Sequence, residues 1–568
     1  MKKTTTRNLL IKISGILVLL ALTACQSPFF PHYPDKGASA WPTGPLAYSP
    51  QGSQDDPHLI LPSGTAVWAR TTASGEPNSF FQSNAVDEAG CVYVAGWQTG
   101  NGPYTYGTQS VAGACNGNNP VLVKYDSSGA ALWARSVSGT SGSYSECMFS
   151  SVAVDKSGNA IVAGYICGQS TYVFGGKSVE GVSNSYNPIL IKYNSNGDVI
   201  WAKTVESGPE WGCMEFLSVA PDDKGNIYTA GYLSYDENND AYFFGNGSEP
   251  LAAIGGAGLS GYEWSNSAPI LVKYDSDGRA LWAKTIESTT DDAVSAVFCS
   301  IAVQQSGSEV FIYAAGEQKG GIAGEYIQYG TADAAKLPIV SISGSNPVLA
   351  KYDSEGNAIW AKTFVQGYGA SFSSVAIGQG GNVFAAGNQE YDSDYDYGNG
   401  AVANGRCQTY GYNPILVMYN SLGEAQWARS TLANPDFGSF ASVAVDGSGN
   451  AYAAGYQVGQ EGYRYGSIIA EGKCPGGNSL LVKYSQAGTE LWVKTINNMT
   501  NNYGPEYLLG NPTCIFGSVA ADRKGFVYAT GTLSTLEHID FGDGQIEDTR
   551  IAGLSETHIS PVLVKYRQ

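Results

Sequence analysis

Fifty acidic residues against 31 basic ones, with only four histidines in 568 positions, confine the chemistry open to this chain largely to carboxylates, hydroxyls and thiols. Asp392, Asp394 and Asp396 stand at i, i+2 and i+4 in Asp-Ser-Asp-Tyr-Asp-Tyr-Gly, and hard oxygen ligands at that spacing suit Ca²⁺. Gly398 falls at the seventh place and not the sixth, however, and Ala403 stands where a twelfth-position Glu would complete the shell. The segment therefore reads first as a solvated acidic loop and only second as a calcium site. His538 with Asp540 forms a conceivable acid–base pair. There is no H-E-x-x-H, G-x-S-x-G or phosphate loop, and no C-x-x-C or Cys/His cluster for zinc or redox work. Carboxylate-based attack on glycans stays open, because the many loop acids can converge in a fold. No cofactor other than that calcium ion is implied.

The element that must position these groups is a repeat. An apolar strand ending Lys-Tyr, a tight Asp/Asn-x-x-Gly turn and a strand ending Trp-Ala-Lys/Arg recur at 121–136, 189–204, 270–285, 348–363, 415–430 and 480–495. A second phrase of the type SVAVDKSGNAIVAGY occupies 151–165, 218–232, 374–388 and 442–456, with versions at 83–97, 300–316 and 518–532. Both are hairpins, β-branched and aromatic runs around a short turn. Trp68, Trp133, Trp201, Trp282, Trp360, Trp427 and Trp492 mark seven four-stranded units, and a period of that length predicts the blades of an all-β propeller. Strand 66–72 lacks a partner before it and strand 561–566 lacks one after it. Pairing them closes the seventh blade from both ends of the chain. The propeller is expected over 63–568. Abundant glycine (72) and a 12% aromatic content fit this turn-rich all-β profile.

SVAVDKSGNAIVAGY followed by PILIKYNSNGDVIWAKT resembles the bacterial SBBP-type β-propeller repeats of exported proteins, across residues 64–568. That resemblance implies fold and export, and no particular chemistry. The Asp-x-x-Gly turn and Trp are similar, at a second rank, to quinoprotein-type propellers.

The N-terminus agrees with export. Lys2, Lys3, Arg7 and Lys12 precede a short apolar run, Ile13 to Leu22, which reads as a signal peptide over 1–24. Leu22-Thr23-Ala24-Cys25 resembles the lipobox of bacterial lipoproteins, which implies cleavage before Cys25 and its acylation; an ordinary signal peptide is the other reading. Gln26 in place of Asp resembles the Gram-negative sorting signal for the outer membrane. Residues 25–62 read as the lipidated cysteine and a Pro/Ser/Gly-rich tether. The signal segment carries four of the basic residues and none of the acidic ones, so the mature charge is −23, and nucleic acid is excluded as a partner.

In four-stranded blades the one–two and three–four turns share one end, and here they are uniformly minimal. The opposite connections are long, variable and acidic, with Glu206, Glu210, Glu215, Asp236, Glu237 and Asp240 among them. Binding residues concentrate in loops on a rigid scaffold, so function is expected on the long-loop face. Six cysteines fall there as pairs from adjoining blades: Cys115 with Cys147, Cys474 with Cys514 and Cys167 with Cys213. Export permits three disulfides, with buried thiols as the alternative. The tryptophans read as inter-blade packing, and the recurring Tyr-x-Tyr/Phe-Gly element as structural. The chain is thus expected to be a monomeric cell-envelope lipoprotein, a non-catalytic scaffold engaging a protein, peptide or glycan. An outer-membrane assembly scaffold and a carboxylate-based hydrolase or lyase acting on glycans are the alternatives. Two carboxyls converging in an axial funnel would favour the last; an aromatic patch there would favour the first.

Overall fold

The computed structural model describes residues 62–568 except 76–77, 143–144, 235–240, 246–249, 255–266, 290–294, 321–324, 342, 407–410, 433–436, 475, 497, 500–512, 535–538, 543–549 and 552–558. The signal segment, Cys25, nearly all of the tether, His538, His558 and Asp236 to Asp240 lie outside the described residues. No helix among the described residues is long and apolar enough to cross a membrane.

The chain is all-β and propeller-like. Seven four-stranded antiparallel sheets are described, each a meander. Their inner strands are Ser79–Val86, Cys147–Val154, Cys213–Pro221, Ser295–Ser306, Ala370–Ile377, Gly438–Val445 and Thr513–Ala521. Their outer strands are Ala131–Arg135, Val199–Lys203, Ala280–Lys284, Ala358–Lys362, Ala425–Ser430, Glu490–Lys494 and, for the seventh sheet, Ala66–Arg70. This last strand begins the described chain and pairs with Ser560–Arg567 at its end, Trp68 opposite Lys565 and Arg70 opposite Leu563. It is shorter than the expected 66–72. Thr72–Ser74 turns away and finds its backbone partners in Pro103–Tyr106. The second strands are buried on both faces, as Ala160–Cys167 shows, which is why they read as unbroken Val/Ile/Ala/Tyr runs.

Each inner strand slips by one residue just before a serine, at Ser83, Ser151, Ser218, Ser300, Ser374, Ser442 and Ser518. A bulge re-aims a side chain, and here it turns the serine toward the neighbouring sheet. The backbone N–H groups of Val152, Val219, Ile301, Val375, Val443 and Val519 donate in turn to the first six of these hydroxyls, at 3.0–3.3 Å. Asn84 N–H donates to the seventh, Ser518, at 3.2 Å, so the series runs from the last sheet back to the first. Opposite every bulge stands the glycine of the Ala-Gly or Thr-Gly pair. At Gly164 an added Cβ would lie 2.0 Å from the carbonyl oxygen of Met148, so no side chain fits. Deeper in five of the sheets the inner-strand Phe meets the tyrosine that ends the third strand edge to face, as in Phe372–Tyr419 (6.4 Å, 83°) and Phe440–Tyr484 (6.4 Å, 88°).

The long connections carry structure of their own. Seven small two- or three-stranded sheets are built in them, such as Thr171–Phe174 with Lys177–Glu180 and Gly139–Thr140. The Tyr-x-Tyr/Phe-Gly element is the first strand of these hairpins, and its leading tyrosine is structural as expected. Tyr104, Tyr172, Tyr395 and Tyr463 are buried, and each phenol donates to backbone carbonyls where the second strand ends and where the inner strand of the same sheet begins.

Candidate functional site

The tight-turn end is committed to holding the sheets together. Trp68, Trp133, Trp201, Trp282 and Trp427 donate Nε1–H to turn carbonyls of the following sheet, those of Ser127, Ser195, Ser276, Ser354 and Gln486, at 3.0–3.2 Å. Trp492 donates instead to Ser63 Oγ at 2.9 Å. Ser63-Gly64 thereby replaces an Asp-x-x-Gly turn for the sheet assembled from both chain ends. Where an arginine follows the tryptophan it joins the same latch: Arg70 donates to Gly129 O and Ser128 O, Arg135 to Gly197 O and Asn196 O, and Arg429 to Gly488 O. In the other set of turns Asp155 accepts the amides of Ser157 and Asn159 at 2.9 Å and pairs with Lys192 at 3.0 Å. Burial alone would raise its pKa. The hydrogen bonds from Asn159 and the Lys192 ammonium outweigh that and hold the carboxylate below its ordinary range.

The opposite end is where polar and aromatic groups are left facing one another. A central cavity of about 120 Å³ is lined by all seven sheets, chiefly by the serines and the bulged residues Gln82, Ser150, Leu217, Cys299, Ser373, Ala441 and Gly517. Inner strands enter from the long-connection end, so the residues just before each bulge form the mouth of this cavity. Over sheets one to three aromatic rings are packed together near the long-connection ends of the strands: Phe80 stacks on Trp97 (5.5 Å, 6°), Tyr165 leans on Tyr186 (4.2 Å, 39°), and Tyr232 follows in the same buried cluster.

Two carboxyls sit within this arc. Tyr165 donates to Glu146 Oε1 at 2.7 Å. Ser150 Oγ reaches across from sheet two to Glu215 Oε1 at 2.7 Å, and Tyr232 donates to its Oε2 at 3.4 Å. Burial pushes Glu215 up to about 7; the two hydroxyls oppose this and the nearby Glu146 charge adds to it. Among the described residues neither glutamate has a salt-bridge partner. Glu215 belongs to an inner strand and not to the loop to which its position after 206–214 assigns it. The repeat marks this site only by exception: Glu215 occupies a register where the other sheets carry Phe80, Met148, Val297, Ser371, Ser439 and Ile515.

A second group lies between sheets four and five. Lys319 pairs with Glu317 at 3.2 Å, close to Glu390. Burial raises the Glu390 carboxyl; Lys319 opposes the shift and Glu317 adds to it. The next residue, Tyr391, has φ 58°, a left-handed conformation that costs a tyrosine about 1–2 kcal/mol. Its ring stands perpendicular to that of Tyr368, 4.6 Å away.

The residues expected to bind calcium are not gathered. Asp392 is largely exposed and pairs with Arg406 at 3.1 Å, and Asp396 accepts the Gly398 amide at 2.8 Å. Asp394 lies on a short strand whose intervening Tyr395 is buried. No group of three or more His, Cys, Asp or Glu side chains forms a metal site among the described residues. The cysteine pairs do meet: Cys115 with Cys147 in one core cluster, Cys474 with Cys514 in another, Cys167 with Cys213 in a third. They meet as thiols, so the three expected disulfides are not formed. Burial pushes Cys115, Cys167 and Cys213 up to about 12 and raises Cys147 and Cys514 well above the ordinary thiol range. Such thiols supply almost none of the thiolate that exchange requires.

No family model matches the chain. An uncharacterized WD repeat-containing protein of Acanthamoeba polyphaga mimivirus is 25% identical over 186 residues, covering 28% of this chain and 12% of that protein's length. Among solved structures, a chain of the mitotic checkpoint complex is similar over 93% of this chain and 99% of its own (9% identity, TM-score 0.38). A polysaccharide lyase, the PL25 ulvan lyase, is similar over 87% and 96% (9% identity, TM-score 0.37). The phage phi92 endosialidase is similar over 88% and 68% (9% identity, TM-score 0.35). Likenesses at this level bear on neither substrate nor mechanism.

Proposed function

We propose that this chain is a seven-bladed β-propeller closed by Ala66–Arg70 on Ser560–Arg567, an SBBP-like lipoprotein tethered to the cell envelope through Cys25, and that it binds its partner through the long-connection end. One observation carries the choice of end. The turn carbonyls and aspartates of the tight-turn end are consumed by the Trp, Arg and Lys latches, whereas carboxyls, aromatic rings and hairpins converge at the opposite end. Closure is supported by the Asn84–Ser518 hydrogen bonds and by Ser63 serving as the missing turn for Trp492.

The test is site-specific photo-crosslinking in intact cells, with probes at Trp211 and Ser393 on the long connections and at Ser128 and Glu355 on the tight turns. Partner adducts are expected from the first pair alone, and adducts confined to the second pair refute the reading. The anchor is tested separately: Cys25→Ala should move the protein from the membrane to the soluble fraction.

A second reading, a hydrolase or lyase acting on glycans, is favoured by one finding, the convergence of Glu146 with Glu215. A carboxyl held near 7 shares its population between acid and carboxylate at neutral pH, far more acid than a free glutamate retains, and suits a general acid. Glu215→Gln would then abolish turnover of a glycan substrate while leaving its binding intact.

A further inference from the structure

We infer that Tyr368, Tyr391 and Glu390 form a saccharide-stacking subsite; this rests on the long-connection end being the binding face. The first observation is a break in the repeat. The residue after the second strand is Gly100, Gly168 and Gly459 in three other sheets, with φ of 74°, 76° and 88°. In all three its N–H donates to the carbonyl of the residue shortly before the third strand, Gly117, Ser185 or Gly476. Tyr391 makes the same bond to Gly411 with the same left-handed backbone. Glycine satisfies this position without strain. A tyrosine held there contributes something the backbone does not need, and strain of this kind gathers at ligand sites.

The second observation is what the ring does. It stands edge-on to Tyr368, which remains 42% exposed, so the pair presents an open aromatic surface at the long-connection end. The third is the polar rim. Glu390 precedes Tyr391 directly, and Glu317 with Lys319 lies beyond it. A flat ring flanked by the Glu390 carboxylate and the half-exposed Lys319 ammonium matches a sugar, whose apolar C–H face covers the ring while its hydroxyls reach the rim. A cationic ligand fits less well, because Lys319 already neutralises Glu317 at 3.2 Å.

The full-length protein is tested on an array of immobilised neutral, amino and uronic-acid oligosaccharides, alongside Tyr391→Gly, Tyr368→Ala and Leu422→Ala. Wild type is expected to retain a subset of these glycans. Tyr391→Gly and Tyr368→Ala should weaken retention by about tenfold or more, the loss usual for an aromatic anchor. Leu422→Ala, on an exposed tight turn at the opposite end, should stay within about twofold on the same scale. The thermal midpoint of Tyr391→Gly should not fall below wild type, since glycine is the residue of three sister positions; a fall marks Tyr391 as structural and overturns the inference. Unchanged retention in Tyr391→Gly overturns it, as does a wild type that retains no glycan. If glycans fail while long-connection crosslinks persist, this inference falls and the binding-face reading stands; loss of both removes the reading as well.

Discussion

Asn84 offers the sharpest test of how the two ends of the chain are held. In the other six sheets the corresponding inner-strand residue is Val152, Val219, Ile301, Val375, Val443 or Val519, and only its backbone N–H crosses to the neighbouring serine. At the junction of first and last sheets Asn84 adds two side-chain bonds. Its Nδ2 donates to Tyr528 O at 2.8 Å, and Ser518 Oγ donates to its Oδ1 at 2.8 Å. Asn84→Ala removes both and keeps the backbone bond to Ser518. Each buried hydrogen bond contributes about 1 kcal/mol net, and groups left without partners add their desolvation cost, so the junction should lose about 2–4 kcal/mol. At 1.4 kcal/mol per decade this is roughly a 30- to 700-fold rise in the opening equilibrium. Native-state hydrogen exchange reads it locally, in Ala66–Arg70, Ser79–Val86 and Thr513–Ala521. Val152→Ala, at the same register between sheets one and two, is the control and should leave Ala66–Arg70 unaffected. If exchange in those three strands rises by less than about threefold, or rises equally in the control, the junction is not held by Asn84 and the reasoning fails.

Other expectations follow from single residues. Gly164→Ala should destabilise by more than about 3 kcal/mol or prevent folding, because its Cβ would meet the Met148 carbonyl; a thermal shift of a degree or less would contradict this. Among the described residues the buried Tyr419 hydroxyl has no hydrogen-bond partner, so Tyr419→Phe should stabilise by about 1 kcal/mol in denaturant titrations. Glu215 has a folded pKa of about 7 against 4.5 for the free group. Its contribution is therefore full below about pH 4.5 and is lost as pH rises through 7. Relative to Glu215→Gln, wild type should lose on the order of 3 kcal/mol across that window, and parallel pH–stability curves would refute the assignment. Cys115, Cys147, Cys213 and Cys514 should resist iodoacetamide in the native protein and react once it unfolds, whereas a non-reducing peptide map linking Cys115 to Cys147 would overturn the thiol assignment.

The repeat was legible because everything it encodes is local. Val/Ile/Tyr/Trp runs and the Asp-x-x-Gly turns specify strands and hairpins within fifteen residues, so the four-stranded unit and the structural tyrosines could be read from their recurrence. The pairing of the two chain ends was legible for the same reason, as a unit with its halves at opposite termini. The site was less so. Glu215 looks like one more loop acid until the inner strand extends to Cys213, and Tyr391 looks unremarkable until its backbone is set beside Gly100, Gly168 and Gly459.

By itself, then, the sequence determined the strand pattern, the count of units and the asymmetry between short and long connections. Only the tertiary structure decided which groups meet. Ser83 and Val152, Trp133 and Ser195, Ser150 and Glu215 lie 69, 62 and 65 residues apart, and the contact depends on how one sheet turns against the next. It also decided that the three aspartates near 394 stay apart and that the paired cysteines remain thiols. Ligation and oxidation depend on distance, solvent access and charge, and none of these is a property of spacing along the chain.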